Sequence, residues 1–460
     1  MSTPTVDADV VILGAGSAGY ACALRAAQLG LTVALIEADK VGGTCLHRGC
    51  IPTKAILHTA EVADIVRSAP GLGVRATLDA VDIVAVNAFK TGVVSRLHRG
   101  LTGLIEQRGI RVITGVGALK DPHTVDVDGR AVTGRHVVVA TGARPAMARG
   151  IEIVGHVITS DQALGMDWIP RTAVVLGGGV IGVEFASAWQ SFGAQVAVVE
   201  ALDRLLPFED EDASAAIARA LRRRGIAIKT ATSVSQVIED ATGVHVALSD
   251  GATLDTDILL VAVGRIPNTE GLGLDRLGVT MEGGYAIVDE RCHTGVANIW
   301  AAGDIVPGPQ LAHRGFAQGI AIAERIAGLD APPLVASQVP HVVYSDPEVA
   351  SVGLTQAQAV AAYGPDAIVA ESQTLGGNAR SLVLQTSGMV KIVRVKDGPV
   401  VGIHIVGARA GELIGEAQLI VGWEAFPEEV APLIHAHPTQ TEVLGEALAA
   451  LAGKPLHTHV

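Results

Sequence analysis

Two cysteines are the side chains of this sequence best suited to electron transfer. Cys45 and Cys50 stand in the run Gly-Gly-Thr-Cys-Leu-His-Arg-Gly-Cys-Ile-Pro-Thr-Lys, which fills residues 42–54. At the start of a helix this spacing can bring two sulfurs together, and a helix N-terminus stabilises a thiolate. Lys54 follows Cys50 by one helical turn, so its positive charge would lie on the same face. The pattern predicts a redox-active disulfide.

The same cysteines admit two other interpretations. A structural zinc site would need a closer Cys-x-x-Cys pair and further ligands, whereas the other cysteines are Cys22 and Cys292. Cys45 and Cys50 could instead be unrelated core residues, since free cysteine packs well among apolar side chains. A total of 4 cysteines is too few for a secreted, disulfide-held scaffold. We favour the redox disulfide and predict no metal site.

A histidine near the C-terminus could supply the proton chemistry that thiol exchange needs. Residues 435–442 read His-Ala-His-Pro-Thr-Gln-Thr-Glu, so Glu442 follows His437 closely. An imidazole oriented by a carboxylate is a suitable general base. The alternatives are a purely structural histidine and a metal site built on the His-x-His pair. We take His437 and Glu442 as a candidate acid–base pair.

An internal repeat indicates what these groups would exchange electrons with. Each copy has an apolar strand, a glycine-rich turn, a helical stretch and a second strand ending in an acid, at the same interval from the first glycine. The first copy carries Gly14, Gly16, Gly19 and Glu37, and the second carries Gly177, Gly179, Gly182 and Glu200. One such turn is weak evidence for nucleotide binding, but two in this strand–turn–helix–strand context are strong evidence.

The physical chemistry of such a unit predicts two dinucleotide cofactors. Glycines let the backbone approach a pyrophosphate, which lies on the positive end of the following helix, while the acid reaches the ribose hydroxyls. Two units in one chain could hold two dinucleotides, one passing hydride to the other. An acid at the position of Glu200 bonds the ribose 2′-hydroxyl and repels a 2′-phosphate. Although Arg204 lies nearby, no cluster of arginines follows the strand, so NAD is favoured over NADP.

The order of the elements predicts an α/β fold of three domains, which a chain of 460 residues is long enough to form. We expect two Rossmann-like dinucleotide-binding domains. The first would comprise residues 1–145 and 270–335, and the second residues 146–269. Strand-like runs and amphipathic helices over residues 340–460 suggest a C-terminal α+β domain.

Composition and charge exclude several classes of partner. The net charge of −13 argues against nucleic acid or an anionic membrane, because both attract basic patches. Residues 1–9 lack a basic segment and a long apolar segment of a secretory leader, and the apolar run 10–16 is too short to span a bilayer. We therefore expect a cytoplasmic protein.

Residues 42–54 resemble the active-site motif of the flavin disulfide reductases, a family that includes glutathione, mercuric and dihydrolipoyl reductases. Thr141-Gly142, Gly264-Arg265 and Gly303-Asp304 also stand in that family's order, so the resemblance covers essentially the whole chain. It implies FAD on the first dinucleotide unit and a pyridine nucleotide on the second. Besides the two glycine-rich turns and their acids, the residues that it implies near the cofactors are Lys54, Gly117, Thr141, Gly142, Gly264, Asp304, Gln310, Leu311, Ala312 and His313.

The resemblance also implies roles for the thiols and the base. Cys50 would be the thiolate beside the flavin, and Cys45 would be the sulfur that exchanges with substrate. Lys54 would pair with Glu184 close to the flavin. His437 would serve the thiols of the partner subunit, so that the C-terminal domain both forms a homodimer interface and carries the base.

Within the family, the His-Ala-His-Pro-Thr motif is most similar to that of the members that oxidise dihydrolipoamide. This implies oxidation of dihydrolipoamide to lipoamide, with NAD as final acceptor. The partner would be a lipoyl-bearing acyltransferase or carrier protein of a 2-oxo acid dehydrogenase or glycine cleavage complex. The rivals are an NAD(P)H-dependent reductase of another low-molecular-weight disulfide and a flavoprotein scaffold with little turnover. The chain departs from many relatives at His47 and Arg48, where they carry Asn-Val.

Overall fold

The computed structural model describes residues 6–457. Residues 1–5 and 458–460 lie outside the described residues, and with them the outer ends of the predicted first and third domains and part of the segment 1–9. Within residues 6–457 the helices are α1 (Ser17–Gln28), α2 (Gly43–Arg48), α3 (Cys50–Ser68), α4 (Ile83–Gln107), α5 (Ser160–Ala163), α6 (Val180–Ser191), α7 (Glu211–Arg223), α8 (Ala312–Ile326), α9 (Gln356–Tyr363), α10 (Ala379–Val383), α11 (Ala410–Gly422), α12 (Pro427–Val430) and α13 (Glu442–Leu451).

The strands are short, as is usual for a fold of several sheets. In the same described part of the chain they are β1 (Ala8–Leu13), β2 (Val33–Glu37), β3 (Arg111–Thr114), β4 (Gly117–Asp121), β5 (Thr124–Val127), β6 (Arg130–Val139), β7 (Ala143–Pro145), β8 (Val157–Thr159), β9 (Thr172–Leu176), β10 (Gln195–Val199), β11 (Ala227–Lys229), β12 (Val234–Asp240), β13 (Gly243–Leu248), β14 (Thr253–Thr256), β15 (Ile258–Val261), β16 (Arg265–Pro267), β17 (Met281–Glu282), β18 (Tyr285–Ala286), β19 (Ile299–Ala301), β20 (His341–Val343), β21 (Glu348–Gly353), β22 (Ile368–Thr374), β23 (Met389–Val395) and β24 (Val400–Gly407).

The described residues divide into two compact units. The first unit contains those of Met1–Ala55, Ala85–Ala146 and Arg265–Ala336. The second contains those of Ile56–Val84, Met147–Gly264 and Ser337–Val460. The three-domain boundaries expected from the sequence stay a prediction.

The first unit is built on a parallel sheet around β1. This strand pairs with β2 on one side and β6 on the other, and the parallel order continues through β3 and β19. All residues of β1 except Asp9 are buried, because a parallel sheet is covered on both faces. Helix α1 links β1 to β2, and α8 packs on α1 so closely that a Cβ on Gly319 would lie 2.2 Å from the Ala18 carbonyl oxygen.

The second unit contains another parallel sheet with the same local plan. Its strands follow the order β11-β10-β9-β15-β8, and α6 links β9 to β10 as α1 links β1 to β2. The second strand predicted in this copy, which leads to Glu200, is observed as β10. Strands β12, β13 and β14 form a separate antiparallel sheet that the sequence pattern did not single out.

The C-terminal part of the second unit is α+β. Strands β20, β21, β24, β23 and β22 form an antiparallel sheet in that order. Helices α11 and α13 bury Ala417, Leu444 and Leu448 against Ile403 and Ile405 of this sheet. The predicted fold class, two Rossmann-like units followed by an α+β region, is therefore confirmed. Within residues 6–457, none of the helices combines the length and the apolar character needed to cross a bilayer.

Candidate active site

The two glycine-rich turns have the same backbone geometry, and each needs glycine at its first and third positions. Gly14 and Gly177 have φ of +98° and +110°, and a Cβ on them would lie 2.3 Å and 2.4 Å from a carbonyl oxygen just beyond the neighbouring strand. A Cβ on Gly19 or Gly182 would lie 1.8 Å or 2.0 Å from the carbonyl oxygen of the first glycine. Larger residues would therefore push the helix away from its turn.

The middle glycine of each turn faces open space. Apart from chain neighbours, no described atom lies within 4 Å of a Cβ built on Gly16 or Gly179. These glycines are the N-caps of α1 and α6 and provide no side-chain cap for the first amides. Unpaired N–H groups and the positive end of the helix dipole favour an anion at this place. A pyrophosphate thus fits the space that a side chain would fill.

The acids at the ends of β2 and β10 are held by equivalent hydrogen bonds. The Glu37 carboxylate accepts the backbone N–H of the second turn residue at 2.8 Å and that of Asp39 at 2.9 Å. The Glu200 carboxylate accepts the N–H of its own second turn residue at 2.6 Å and that of Leu202 at 2.8 Å. Each carboxylate is fixed at the edge of its turn, where an adenosine ribose lies in this type of unit.

The redox segment rests directly on the first glycine-rich turn. Gly42 donates its backbone N–H to the Ala15 carbonyl at 2.9 Å. A Cβ on Gly43, which has φ of +59°, would lie 2.6 Å from Gly16 Cα. The two glycines therefore allow the backbone to approach the turn, and the thiols that follow are placed beside it.

The two cysteines lie on different helices. Cys45 is in α2, the chain breaks at Gly49, and Cys50 is the first residue of α3. The sequence pattern suggested one helix start for both, but the break at Gly49 is what brings the Cys45 sulfur to both the side chain and the backbone N–H of Cys50. A Cβ on Gly49 would lie 3.0 Å from the Thr44 carbonyl oxygen, so a side chain here would strain the break.

The contact between the thiols decides which sulfur keeps a proton. Both are free thiols and both are partly exposed. The hydrogen bond of Cys45 to the Cys50 side chain, together with burial, raises the pKa of Cys45, although the charge of Lys54 opposes the shift. In a reduced pair that shares one proton, the proton therefore stays on Cys45.

Tyr20 lies near these thiols and was missed from the sequence. Burial first, and then the charges of Cys45 and Cys50, raises the pKa of Tyr20 to about 12, so it stays a neutral phenol. Its ring packs on Phe316 of α8, with centroids 5.4 Å apart. The signal was its position: Tyr20 follows Gly19, so it lies within the first turn of the helix that the glycines place at the site.

Thr141 and Gly142, predicted at the FAD, follow β6 in the first unit. The Thr141 hydroxyl donates to the Asn268 carbonyl at 2.6 Å, and the Asn268 side-chain amide donates back to the Thr141 carbonyl at 3.1 Å. The backbone N–H of Asn268 donates to the Gly142 carbonyl at 2.9 Å. These bonds fix the chain where β6 leaves the sheet.

Asp304 is a partly buried acid of the first unit. It lies in the 3-10 turn Gly303–Ile305, and the Gln310 side-chain amide donates to its backbone carbonyl at 3.3 Å. Burial raises the pKa of Asp304, and the nearby charges of Arg265 and Arg314 oppose this effect. A carboxyl in such a place is suited to accept a hydrogen bond from a hydroxyl of a bound ligand.

The other residues predicted at the FAD are presented mainly through their backbone. Leu311 is the N-cap of α8, so Ala312 and His313 form the first helical turn. Gly117 begins β4, and a Cβ there would lie 2.6 Å from a side-chain carbon of Leu13. The contacts of these residues with FAD stay predictions.

Glu184 and Gly264 are two further predicted site residues of the second unit. Glu184 lies on α6, is 3% exposed and accepts the backbone N–H of Tyr344 at 3.0 Å. Its pairing with Lys54 stays a prediction. Gly264 has φ of +122°, a conformation that favours glycine.

His437 and Glu442 form the acid–base pair expected from their spacing. His437 Nδ1 lies 2.7 Å from Glu442 Oε1, and Glu442 Oε2 accepts the backbone N–H of Thr439 at 2.7 Å. Burial alone would raise the pKa of Glu442, but the bonds from Thr439 and His437 outweigh it and lower the pKa. An ionised carboxylate only accepts, so Nδ1 donates the proton of this bond, and in the neutral ring Nε2 is the nitrogen that can take a proton.

The His437 side chain is 74% exposed, so Nε2 is accessible to a thiol from outside the second unit. Across residues 6–457, no cluster of three or more His, Cys, Asp and Glu side chains could hold a metal ion.

The sequence matches two family descriptions over most of its length. Residues 8–319 match "Pyridine nucleotide-disulphide oxidoreductase", and residues 339–448 match the "dimerisation domain" of the same name. The chain belongs to the pyridine nucleotide-disulphide oxidoreductase family. It is a flavoprotein disulfide oxidoreductase with FAD- and pyridine nucleotide-binding Rossmann-like units and a C-terminal dimerisation region.

Curated relatives match this oxidoreductase from end to end. A dihydrolipoyl dehydrogenase of Bacillus subtilis is 38% identical, with 98% of this chain and 99% of that protein covered. A mitochondrial dihydrolipoyl dehydrogenase of Pisum sativum is 36% identical over 98% of this chain and 92% of its own. A leghemoglobin reductase of Vigna unguiculata is also 36% identical, over 98% of this chain and 89% of its own.

Solved structures give the same picture. LpdA from Mycobacterium tuberculosis superposes with a TM-score of 0.89 at 30% identity, covering 96% of this chain and 99% of that one. The flavoprotein disulfide reductase RclA from Escherichia coli superposes with a TM-score of 0.85 at 29% identity, over 96% and 99% of the two chains. The oxidoreductase is thus structurally close both to LpdA and to a flavoprotein disulfide reductase.

Proposed function

We propose that this oxidoreductase is a dihydrolipoyl dehydrogenase, which oxidises dihydrolipoamide to lipoamide and reduces NAD. The observation that carries the proposal is the orientation of His437, whose Nδ1 is committed to Glu442 while the ring stays 74% exposed. A base of this kind is what a dithiol substrate needs, since a neutral thiol is a poor nucleophile. The dihydrolipoyl dehydrogenases among the relatives support the choice of substrate.

The exchange begins with the Cys45–Cys50 disulfide. His437 takes the proton of one substrate thiol, and the thiolate attacks the Cys45 sulfur and releases Cys50 as a thiolate. The second substrate thiol then attacks the substrate sulfur of the mixed disulfide and closes the disulfide of lipoamide, while the bond to the Cys45 sulfur breaks and the proton of this thiol passes to Cys45. Two electrons reach the cysteine pair, one proton is kept by Cys45 and the other by His437. This distribution agrees with the raised pKa of Cys45.

The cofactors supply the rest of the reaction. When bound, FAD would supply two-electron redox chemistry between the cysteine pair and the nicotinamide. Gly16 and Glu37 would hold the FAD pyrophosphate and ribose, and Gly179 and Glu200 would do the same for NAD. Lys54 and Glu184 would lie close to the flavin. Tyr20 would shield the thiols from water.

A second copy of the chain would bring His437 to the thiols. The segment before His437 is apolar and open to solvent, with Leu433 63% and Ile434 99% exposed. Exposed apolar surface of this kind is typical of a face that another protein covers. The C-terminal region matches a dimerisation domain, so a homodimer is the expected partner. A lipoyl-bearing acyltransferase or carrier protein would deliver the substrate, in the cytoplasm.

Replacement of Glu200 should weaken the binding of NAD, and replacement of Glu37 should weaken the binding of FAD. Glu200→Ala should raise the KM for NAD about tenfold, since a hydrogen bond from a charged group is lost, and should leave the flavin content unchanged. Glu37→Ala is the matched control and should lower the flavin content while the loaded fraction keeps its KM for NAD. Absorbance at the flavin band and steady-state kinetics measure both. A KM for NAD that Glu200→Ala does not change would contradict the NAD assignment.

The second candidate is a reductase of another disulfide. It is supported by the likeness to RclA, which is described as a disulfide reductase. Assays of NADH oxidation with lipoamide, glutathione disulfide and other low-molecular-weight disulfides separate the two functions. Turnover with lipoamide at least about tenfold above the others supports the dehydrogenase, and the reverse order supports the rival.

A further inference from the structure

The loop that presents His437 is fixed on both sides of its exposed centre. Residues 436–438 are exposed, whereas His435 and Thr439 on either side are partly buried. On the C-terminal side, the Asn378 side-chain amide donates to the Thr439 carbonyl at 2.8 Å, in addition to the bond from Thr439 N–H to Glu442. The N-terminal side depends on His435.

His435 forms a second His–Glu pair beside the first. Its Nε2 lies 2.7 Å from Glu416 Oε1, and its side chain is only 14% exposed. Glu416 lies on α11, which is packed on the C-terminal sheet, so this bond ties the loop to a rigid element. The charge of His435 also contributes to lowering the pKa of Glu442, which places it within electrostatic reach of the acid–base pair.

The place of the His435 ring is set by a glycine. Gly445 lies in α13, and a Cβ built on it would be 2.7 Å from His435 Nδ1. Its φ is not positive, so the backbone does not require glycine here. Alanine would be the better helix former, and what the missing side chain provides is room for the His435 ring.

We infer that His435, with Glu416 and the space at Gly445, is a positioning residue that holds His437 for proton transfer to and from the substrate thiol. The inference rests on the proposed function, since it assigns His437 to a thiol substrate. A general base displaced by a fraction of its hydrogen-bond distance loses most of its effect. The hydrogen bond between Glu416 and His435 prevents this displacement on the N-terminal side of the loop, as the bonds of Thr439 do on its C-terminal side.

The test compares His435→Ala, Gly445→Ala and the double variant in the full-length holoenzyme. Each single change should lower kcat with dihydrolipoamide by about tenfold to 100-fold, while the KM for NAD and the NADH oxidation rate with a quinone acceptor stay unchanged. In the double variant the His435 ring is absent, so the methyl group added at Gly445 has room. The loss of kcat should therefore not exceed that of His435→Ala alone. If Gly445→Ala only raises Tm and leaves kcat unchanged, the inference is wrong.

A pH profile separates positioning from a general loss of stability. Glu442 is bonded to His437, and the nearby loop residue His435 is bonded to Glu416 of α11. If the single variants loosen the His437–Glu442 contact, the charge of Glu442 acts differently on the ring, and the pH of half-maximal kcat should move. Loss of folded protein would lower the rate without moving this midpoint, and an unmoved midpoint would contradict the inference.

A matched control is available on the same helix. His457 Nδ1 lies 2.9 Å from Glu446 Oε1 in α13, a His–Glu pair of the same chemistry that does not touch the loop. His457→Ala should leave kcat and the pH profile unchanged. A loss equal to that of His435→Ala would show a nonspecific effect on α13 and overturn the assignment.

The proposed function and this inference can fail separately. If the wild-type protein does not turn over dihydrolipoamide, the proposed function is wrong, and the inference is then judged by NMR of the histidine ring carbons in isotope-labelled protein. The titration curve of the His437 signal, assigned with His437→Gln, should be displaced in both single variants relative to wild type. An unchanged titration curve would overturn the positioning role whatever the substrate.

Discussion

Replacement of Cys45 by serine should lower the turnover of dihydrolipoamide by at least about 10³-fold, because a serine cannot form the mixed disulfide. The flavin should stay bound, since the glycine-rich turn and Glu37 that would hold it are unchanged. NADH oxidation with a quinone acceptor should therefore survive. Steady-state assays with both acceptors, on protein of known flavin content, measure the difference.

A suitable control for Cys45→Ser is Cys22→Ala. Cys22 is fully buried on α1, and burial raises the pKa of its thiol to about 12, so it takes no part in exchange. The control should keep both activities. If Cys45→Ser removed the quinone activity to the same extent as the dihydrolipoamide activity, the role given to Cys45 would be wrong.

Replacement of His437 by glutamine should lower kcat with dihydrolipoamide by about 10²–10⁴-fold, the usual contribution of a placed acid–base group. Glu442→Gln should cost less than His437→Gln, because the ring is still present but its Nδ1 proton is no longer fixed by a carboxylate. The quinone activity should be unchanged in both variants, since that reaction does not pass through the thiol substrate. Equal losses with both acceptors would contradict the role of His437.

Hybrid dimers show whether His437 acts on the partner subunit. Cys45→Ser and His437→Gln homodimers are each inactive with dihydrolipoamide if the account is right. Mixed after dissociation and reassociation, a hybrid would have one site with an intact thiol pair and an intact base, and so should recover up to about half of the wild-type activity per dimer. No recovery in a hybrid isolated with two different tags would place the base and the thiols in the same subunit.

The duplicated nucleotide unit could be predicted from the sequence because its constraints are local. The first glycine of each turn is favoured by its positive φ, and a Cβ on the third glycine would lie 1.8 Å or 2.0 Å from the first glycine of the same turn. The acids are then placed by backbone N–H groups of the same turn. Spacing along the chain therefore fixes geometry, and Glu37 and Glu200 are found where the pattern put them.

Other features could not be predicted because residue type and periodicity do not reveal the contacts on which they depend. At the break between α2 and α3, a Cβ on Gly49 would lie 3.0 Å from the Thr44 carbonyl oxygen. The bond between His435 and Glu416 joins a loop to a helix that no motif links to it. Strands β12, β13 and β14 pair as successive antiparallel neighbours but carry no strong motif. The residues that form these features are of common types, so their roles become visible only in the folded structure.

The residues between the cysteines also take their meaning from the fold. His47 Nε2 lies 2.9 Å from the Val41 carbonyl, and Arg48 pairs with Asp39 at 3.0 Å. Both side chains thus hold α2 to the segment between β2 and the redox motif. The departure from Asn-Val in many relatives therefore changes the local support of the thiols while both cysteines are retained.

The central claim is that a dithiol passes two electrons through Cys45 and Cys50 to a bound flavin and on to NAD. The most direct measurement is NADH formation by the purified, flavin-loaded protein when dihydrolipoamide and NAD are supplied. The account predicts steady turnover that is lost in Cys45→Ser. A protein that binds flavin and nucleotide yet forms no NADH from dihydrolipoamide would contradict it.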